Sequence, residues 1–127
     1  PVYSAELFEA EGSVMRRLAD AGPSVLVGRG GFLVLKDRPS TFHVRVEAGL
    51  DARVRRLVER GKSPDEASAR KAIQDSDRAR AAFFRRVAHI EWGDPGNFQL
   101  VLDAGELGLE ACAGTVVREA RAFLGIS

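Results

Sequence analysis

Val25-Leu26-Val27-Gly28-Arg29-Gly30-Gly31 combines an apolar run with a glycine-rich turn. Three apolar residues, two of them β-branched, predict a buried parallel strand. The glycines that follow let the backbone turn sharply and approach a ligand closely. Arg29 then stands at the carboxyl end of the strand, the edge where open α/β sheets bind their ligands. A guanidinium there suits phosphate, because its planar fork matches two phosphate oxygens at once. The same residues also read as a tight turn carrying a solvated arginine, since glycine-rich turns are common punctuation.

On the amino-terminal side, Ser4 is placed to cap a helix reaching about Asp20, with Glu6 in its first turn. Leu7, Ala10, Val14 and Leu18 recur at helical spacing and predict its core face. Gly22-Pro23 ends it. Beyond the glycine turn, Phe32–Leu35 reads as a short helix over the strand, and Lys36-Asp37-Arg38-Pro39 as a turn. Thr41–Glu47 alternates and predicts a second strand, with Phe42, Val44 and Val46 on one face. His43, on the other face, has no Cys or His at ligand spacing and reads as packed or hydrogen-bonded. Asp51–Arg60 is a helix with Val54, Leu57 and Val58 inward, ended by Gly61. Ser63 as cap and Pro64 as first residue open the next helix, which runs through Ile73 into Asp77–Val87 with room for a break near Asp75. A loop built on Trp92-Gly93-Asp94-Pro95-Gly96 leads to a third strand, Phe98–Leu102. The last helix spans about Leu109–Leu124, with Leu109, Cys112, Val116, Ala120 and Phe123 as its stripe. Strands alternating with helices predict an α/β fold: a three-layer parallel sheet with right-handed crossovers.

Composition sets the outer limits. The 127 residues suit one domain, and 45% hydrophobic with 29% charged residues is a globular composition. No apolar run approaches a membrane span of roughly 20 residues, and none looks like a signal peptide, so no membrane partner and a cytoplasmic location are expected. The chain opens Pro1-Val2-Tyr3 without methionine, as a fragment or processed form would. The lone Cys112 allows no internal disulfide and reads as a small packed hydrophobe. A net charge of +1 makes nucleic acid a poor partner, although arginines cluster at 53–60 and 78–86.

Gly61-Lys62-Ser63 mimics the end of a phosphate-binding P-loop. That loop needs a preceding strand and a glycine five residues before Gly61; here Arg56, inside a helix, holds the first glycine's place. A turn between two helices accounts for these residues, and the chain offers no other cradle for a nucleoside triphosphate. In the arginine-rich helix, Asp77 and Arg80 lie three apart and can reach one ligand together. The arginines could neutralise phosphate and the carboxylate could accept from a sugar hydroxyl. A solvated face with local Asp–Arg pairs is the other reading.

Taken together, Val25–Gly30, Phe42-His43-Val44-Arg45-Val46, Asp77-Arg78-Ala79-Arg80, Trp92-Gly93-Asp94-Pro95 and Leu100-Val101-Leu102-Asp103 resemble the cytidylate kinase-like family of bacterial nucleoside monophosphate kinases. The likeness runs from about Phe8 to Leu124. It implies a partial P-loop-kinase-like fold lacking the P-loop strand, with a lid-like helical segment at about 62–90. It implies transfer of the ATP γ-phosphoryl group to a nucleoside monophosphate, CMP in the named case, with ATP and Mg²⁺ required. By the resemblance, Arg29 holds the acceptor's phosphate. Asp77 approaches its ribose or base, Arg80 and Arg78 serve the lid, and the loop at Ala104-Gly105 lies against the ATP adenine. Where cytidylate kinases commonly place Asp after the Gly-Arg pair, this chain has Gly30. The family's P-loop strand lies between the first two strands found here, so a preceding strand or a second chain is expected to complete the sheet. The chain by itself is expected to be inactive. The alternative is a P-loop-less nucleotide-binding or protein-interaction module without kinase activity.

Overall fold

The computed structural model describes residues 4–126, so Pro1-Val2-Tyr3 lies outside the described residues. Helix α1 (Ala5–Ala21) opens on Ser4, whose side chain accepts from the Leu7 N–H at 3.0 Å. Its buried face is Phe8, Gly12 and Met15 rather than the predicted Leu7, Ala10, Val14 and Leu18, which are exposed. The two stripes differ by one residue of register. The inner one wins because Phe8 brings a ring to the core and Gly12 brings no side chain. A Cβ on Gly12 would stand 3.4 Å from Val34, at ordinary contact distance, so α2 (Gly31–Val34) packs directly on this face of α1.

The sheet is smaller than expected. Strands β1 (Val44–Glu47) and β2 (Leu100–Asp103) pair in parallel, Val44 opposite Leu100 and Glu47 opposite Asp103. The expected first strand does not form. Val25 and Val27 are 91% and 88% exposed, and no backbone hydrogen bond ties residues 24–27 to another described residue. A strand exists through its neighbour, and no described segment pairs with this one. Among the described residues, a two-stranded parallel sheet with helices around it stands in place of the expected three-layer sheet. His43 is buried beside β1, with Nε2 3.3 Å from the Leu35 carbonyl oxygen, as a packed, hydrogen-bonded histidine.

Helix α3 (Leu50–Glu59) ends in a Schellman turn. Gly61 takes a φ of +68°, its N–H donates to Val58 O at 3.0 Å, and the Lys62 N–H donates to Leu57 O at 2.9 Å. Helix α4 (Glu66–Ala88) is unbroken at Asp75. Its cap is Asp65 rather than Ser63: the Asp65 carboxylate accepts from the Ser68 N–H at 2.7 Å.

Helix α4 is the spine that joins two cores. Its first half buries Ala69 and Ile73 against Val54 of α3, with Leu50, Leu57 and Val58 around them. Its second half brings Phe83 and Phe84 against Phe8 of α1 and Phe32 of α2. Phe32 in turn meets Phe98, just before β2, at 5.0 Å. Helices α5 (Ala104–Leu107) and α6 (Leu109–Leu124) complete the chain. Of the stripe expected on α6, Cys112 is buried whereas Leu109 and Phe123 are exposed, Phe123 resting on Phe42. No helix among the described residues is long and apolar enough to cross a membrane.

Candidate functional site

Arg29 sits in a turn rather than at a strand end. Gly28, Arg29 and Gly30 all take positive φ, at 70°, 58° and 72°, and the Gly31 N–H donates to Gly28 O at 3.2 Å. This is the backbone of a type I′ turn, with Arg29 and Gly30 at its centre. For arginine that conformation costs about 1 kcal/mol. The guanidinium is largely exposed, and its nearest carboxylate, Glu11, is 3.8 Å away. Gly30 is buried against Phe84 and Phe8.

Asp77 is committed across the α3–α4 interface. Arg53 Nη1 donates to Oδ2 at 2.6 Å and Nη2 to Oδ1 at 2.9 Å, a bidentate pair. Those hydrogen bonds hold the Asp77 carboxyl below its ordinary range, against an opposing push from partial burial. The charges of Arg53, Arg80 and Arg45 add to the lowering. The same hydrogen bonds raise Arg53.

Arg80 lies one turn further on. Its guanidinium carbon stands over Trp92, 4.8 Å from the ring centroid, and that of Arg45 from β1 stands over the same ring at 4.6 Å. The loop presents Trp92 through its own turn chemistry: Asp94 Oδ1 accepts from the Gly96 N–H at 2.9 Å, and Asn97 Nδ2 donates to Glu91 O at 3.1 Å. Arg78 departs from this group. It pairs with Asp75, which Lys71 also contacts, on the exposed side of α4. For Arg78 the solvated-face reading describes its surroundings.

Ala104 and Gly105 open α5 at the carboxyl end of β2. Asp103 Oδ1 accepts from the Gly105 and Glu106 N–H groups at 2.9 and 3.2 Å, so the aspartate caps the turn itself. A shallow hollow on the α5–α6 surface, between Leu107 and Arg118, holds none of the residues that the motifs single out.

The structure thus brings Asp77 and Arg80 together with Arg45, Arg53 and Trp92, and leaves Arg78 outside. Gly30, beside Arg29, packs on Phe84, four residues along α4 from Arg80. Asp77, Arg80 and Phe84 share one face of that helix. Sequence reasoning missed Arg45, Arg53 and Trp92 as site residues. Arg53 lay inside a flagged arginine cluster and Trp92 inside a quoted motif, but nothing local signals partners 24 and 47 residues away.

The pair between α3 and α4 carries a testable stability term. Arg53→Ala is expected to cost about 1–2 kcal/mol at pH 7, a charge-assisted bidentate bond discounted for one-third exposure. Because the folded Asp77 carboxyl is held low, the term is fully present above the unfolded value of about 3.9. It is lost as pH falls through the lowered folded value. Urea melts from pH 7 to pH 3 should therefore show the difference between wild type and Arg53→Ala shrinking only below about pH 4. A difference already gone at pH 5 would contradict the pairing.

The model of the cytidylate kinase-like family matches residues 2–106. A crystal structure of an uncharacterized protein from Eubacterium ventriosum superposes with a TM-score of 0.83 at 18% identity. The match covers 93% of this chain and 66% of that one, so this chain spans just under two thirds of the other's length. At that identity the likeness is one of fold. No curated protein matches the sequence.

Proposed function

The chain belongs to the cytidylate kinase-like family, and from that membership we propose that it carries the acceptor side and lid of a nucleoside monophosphate kinase, with CMP as acceptor. One observation carries the reading. The turn bearing Arg29 packs through Gly30 on Phe84, and Arg80 stands on the same face of α4 one turn away. The turn that carries Arg29 and the side chain of Arg80 thus meet one face of α4, with the Arg29 guanidinium itself nearest Glu11 of α1. In this reading Arg29 and Arg80 bind the acceptor's phosphate, Asp77 meets its ribose or base, and Arg78 approaches from the lid's outer side. Helices α3 and α4, joined by Arg53–Asp77 and Arg70–Asp51, would move as one lid. Ala104 and Gly105 form the adenine side.

Phosphoryl transfer asks mainly for positioning and charge neutralisation. The turn at Gly61-Lys62 does not fit a phosphate, because the N–H groups of both residues are bonded to helix carbonyls. We assign the donor's seat to a strand and loop from a preceding segment or a second chain that completes the sheet. Such a strand would cover Val25 and Val27, and Val46 of β1, which is 51% exposed. The same uncovered valines favour the second reading, a nucleotide-binding or protein-interaction module without kinase activity.

Calorimetry with CMP tests the proposal. The 127-residue chain should bind CMP and form no CDP from added ATP. Arg29→Ala should weaken CMP binding about tenfold or more with the thermal midpoint unchanged, because no neighbouring lysine reproduces the fork. CMP affinity that survives Arg29→Ala intact would refute the assignment of Arg29. Absence of CMP binding by the wild type would favour the interaction module.

A further inference from the structure

We propose that Arg45 is a further phosphate-binding residue, acting with Arg80 as a two-arginine clamp built on the Trp92 ring. The inference rests on the reading of the chain as a nucleoside monophosphate binder, and adds to it a residue and a platform.

Arg45 rises from β1 with a side chain only 18% exposed. Besides the Phe98 ring, 6.0 Å from its guanidinium carbon, three contacts hold it. Nε donates to Glu47 Oε2 at 3.0 Å, Nη1 donates to the Trp92 carbonyl oxygen at 3.1 Å, and the guanidinium carbon lies over the indole of the same tryptophan. A guanidinium has five N–H donors, so most of those on the two terminal nitrogens remain for a ligand. Arg80 stands over the same ring and makes no hydrogen bond or ion pair to another described residue. Contact with an aromatic ring uses the face of a guanidinium. It leaves the in-plane N–H edge free, and that edge is what a phosphate takes.

The charges around the clamp favour an anion. Asp77, the carboxylate that feels Arg80 and Arg45, spends both oxygens on Arg53. Glu47 takes one N–H of Arg45 and is itself half exposed. Arg45, Arg53 and Arg80 therefore outnumber Asp77 and Glu47, and the surplus positive charge suits a phosphate monoester better than an uncharged nucleoside. Glu47 anchors Arg45 on the sheet side. Trp92 gathers both cations on one ring without neutralising either.

The test compares CMP, cytidine and inorganic phosphate, by calorimetry and by the emission of Trp92, the sole tryptophan of the chain. Arg45→Gln should weaken CMP binding about tenfold or more and leave cytidine binding unchanged. It should also remove the change in Trp92 emission that phosphate produces in the wild type. Arg45→Lys keeps the charge and the aliphatic stem but not the fork, and should fall between the two. It decides the matter if Arg45→Gln lowers the thermal midpoint. Wild-type affinity for CMP in both variants overturns the proposal while the kinase-like reading stands. Equal losses for CMP and cytidine also overturn it, because they mark Arg45 as structural. Phosphate binding that depends on Arg45 in a chain that ignores CMP keeps the clamp and sinks the nucleotide reading. A wild type that binds none of the three sinks both.

Discussion

Gly30→Asp is expected to destabilise the chain by about 3 kcal/mol or more, and Gly30→Ala by about 2–3 kcal/mol. Two independent penalties meet at this position. Gly30 takes a φ of +72° with ψ of 24°, a left-handed conformation that any side chain makes costly. It is also enclosed: an added Cβ would stand 2.6 Å from Phe8 Cε1 and 3.1 Å from Phe84 Cε1. Both neighbours are ring atoms held within the aromatic cluster, so neither can swing away as a flexible chain end would. Aspartate adds a carboxylate aimed between two phenylalanines, with the desolvation that this entails. Urea denaturation of the three proteins, followed by far-UV circular dichroism, gives the difference directly. A Gly30→Asp midpoint within error of the wild type would refute the account. The expectation bears on substrate as well as stability. Cytidylate kinases commonly have an aspartate after their Gly-Arg pair, and in this chain Phe8 and Phe84 occupy the room it would need. Any acceptor contact that the aspartate makes elsewhere in the family must here come from another residue. Under the proposed function, Asp77, Arg45 and Arg80 would supply it.

Local signals in the sequence translated well into structure. Ser4 caps α1 as its position predicts, Gly61 ends α3 in a left-handed turn, and Gly61-Lys62-Ser63 joins two helices rather than a strand and a helix. The parallel pairing of β1 with β2 follows from the alternation around Val44 and the crossover between the strands. What failed was relational. Val25–Val27 has the composition of a buried strand, but pairing belongs to two segments, and its partner is not among the described residues. On α1 the helical period was legible and its phase was not, since Leu7-Val14-Leu18 and Phe8-Gly12-Met15 repeat equally well. The same limit applies at the candidate site. Asp77 and Arg80 were visible through a spacing of three, whereas Arg53 and Trp92 reach them only through tertiary folding. Arg45 looked like one polar residue in an alternating strand, and its burial against an indole 47 residues away left no trace in its neighbours.

Phe84→Ala is expected to have the largest effect of any single truncation, about 3–5 kcal/mol. Phe84 is 5% exposed and stands at the centre of the aromatic cluster, with Phe8 at 6.1 Å, Phe32 at 5.4 Å and Phe83 at 5.3 Å between ring centroids. Those rings come from α1, α2 and α4, so its removal leaves a void where three elements meet. The rings on two sides are tied by further contacts, Phe32 to Phe98 and Phe8 to Phe83, and cannot collapse into the space. Phe84→Leu, which keeps most of the volume, should cost about 1–2 kcal/mol. The contrast between the two variants in urea denaturation separates packing from any role of the ring's position alone. The aliphatic cluster of Val54, Ala69 and Ile73 is untouched by either change, so α3 and the first half of α4 should keep their amide-exchange protection when the second half of α4 loses it. The functional consequence follows from the same geometry. Phe84 holds Gly30, and through it the Arg29 turn, against the helix face that carries Arg80. A Phe84→Leu protein that remains folded should therefore bind CMP more weakly than the wild type, although leucine removes no polar group from the site. Undiminished CMP affinity in that folded variant would mean that the Arg29 turn and α4 do not act on a common ligand.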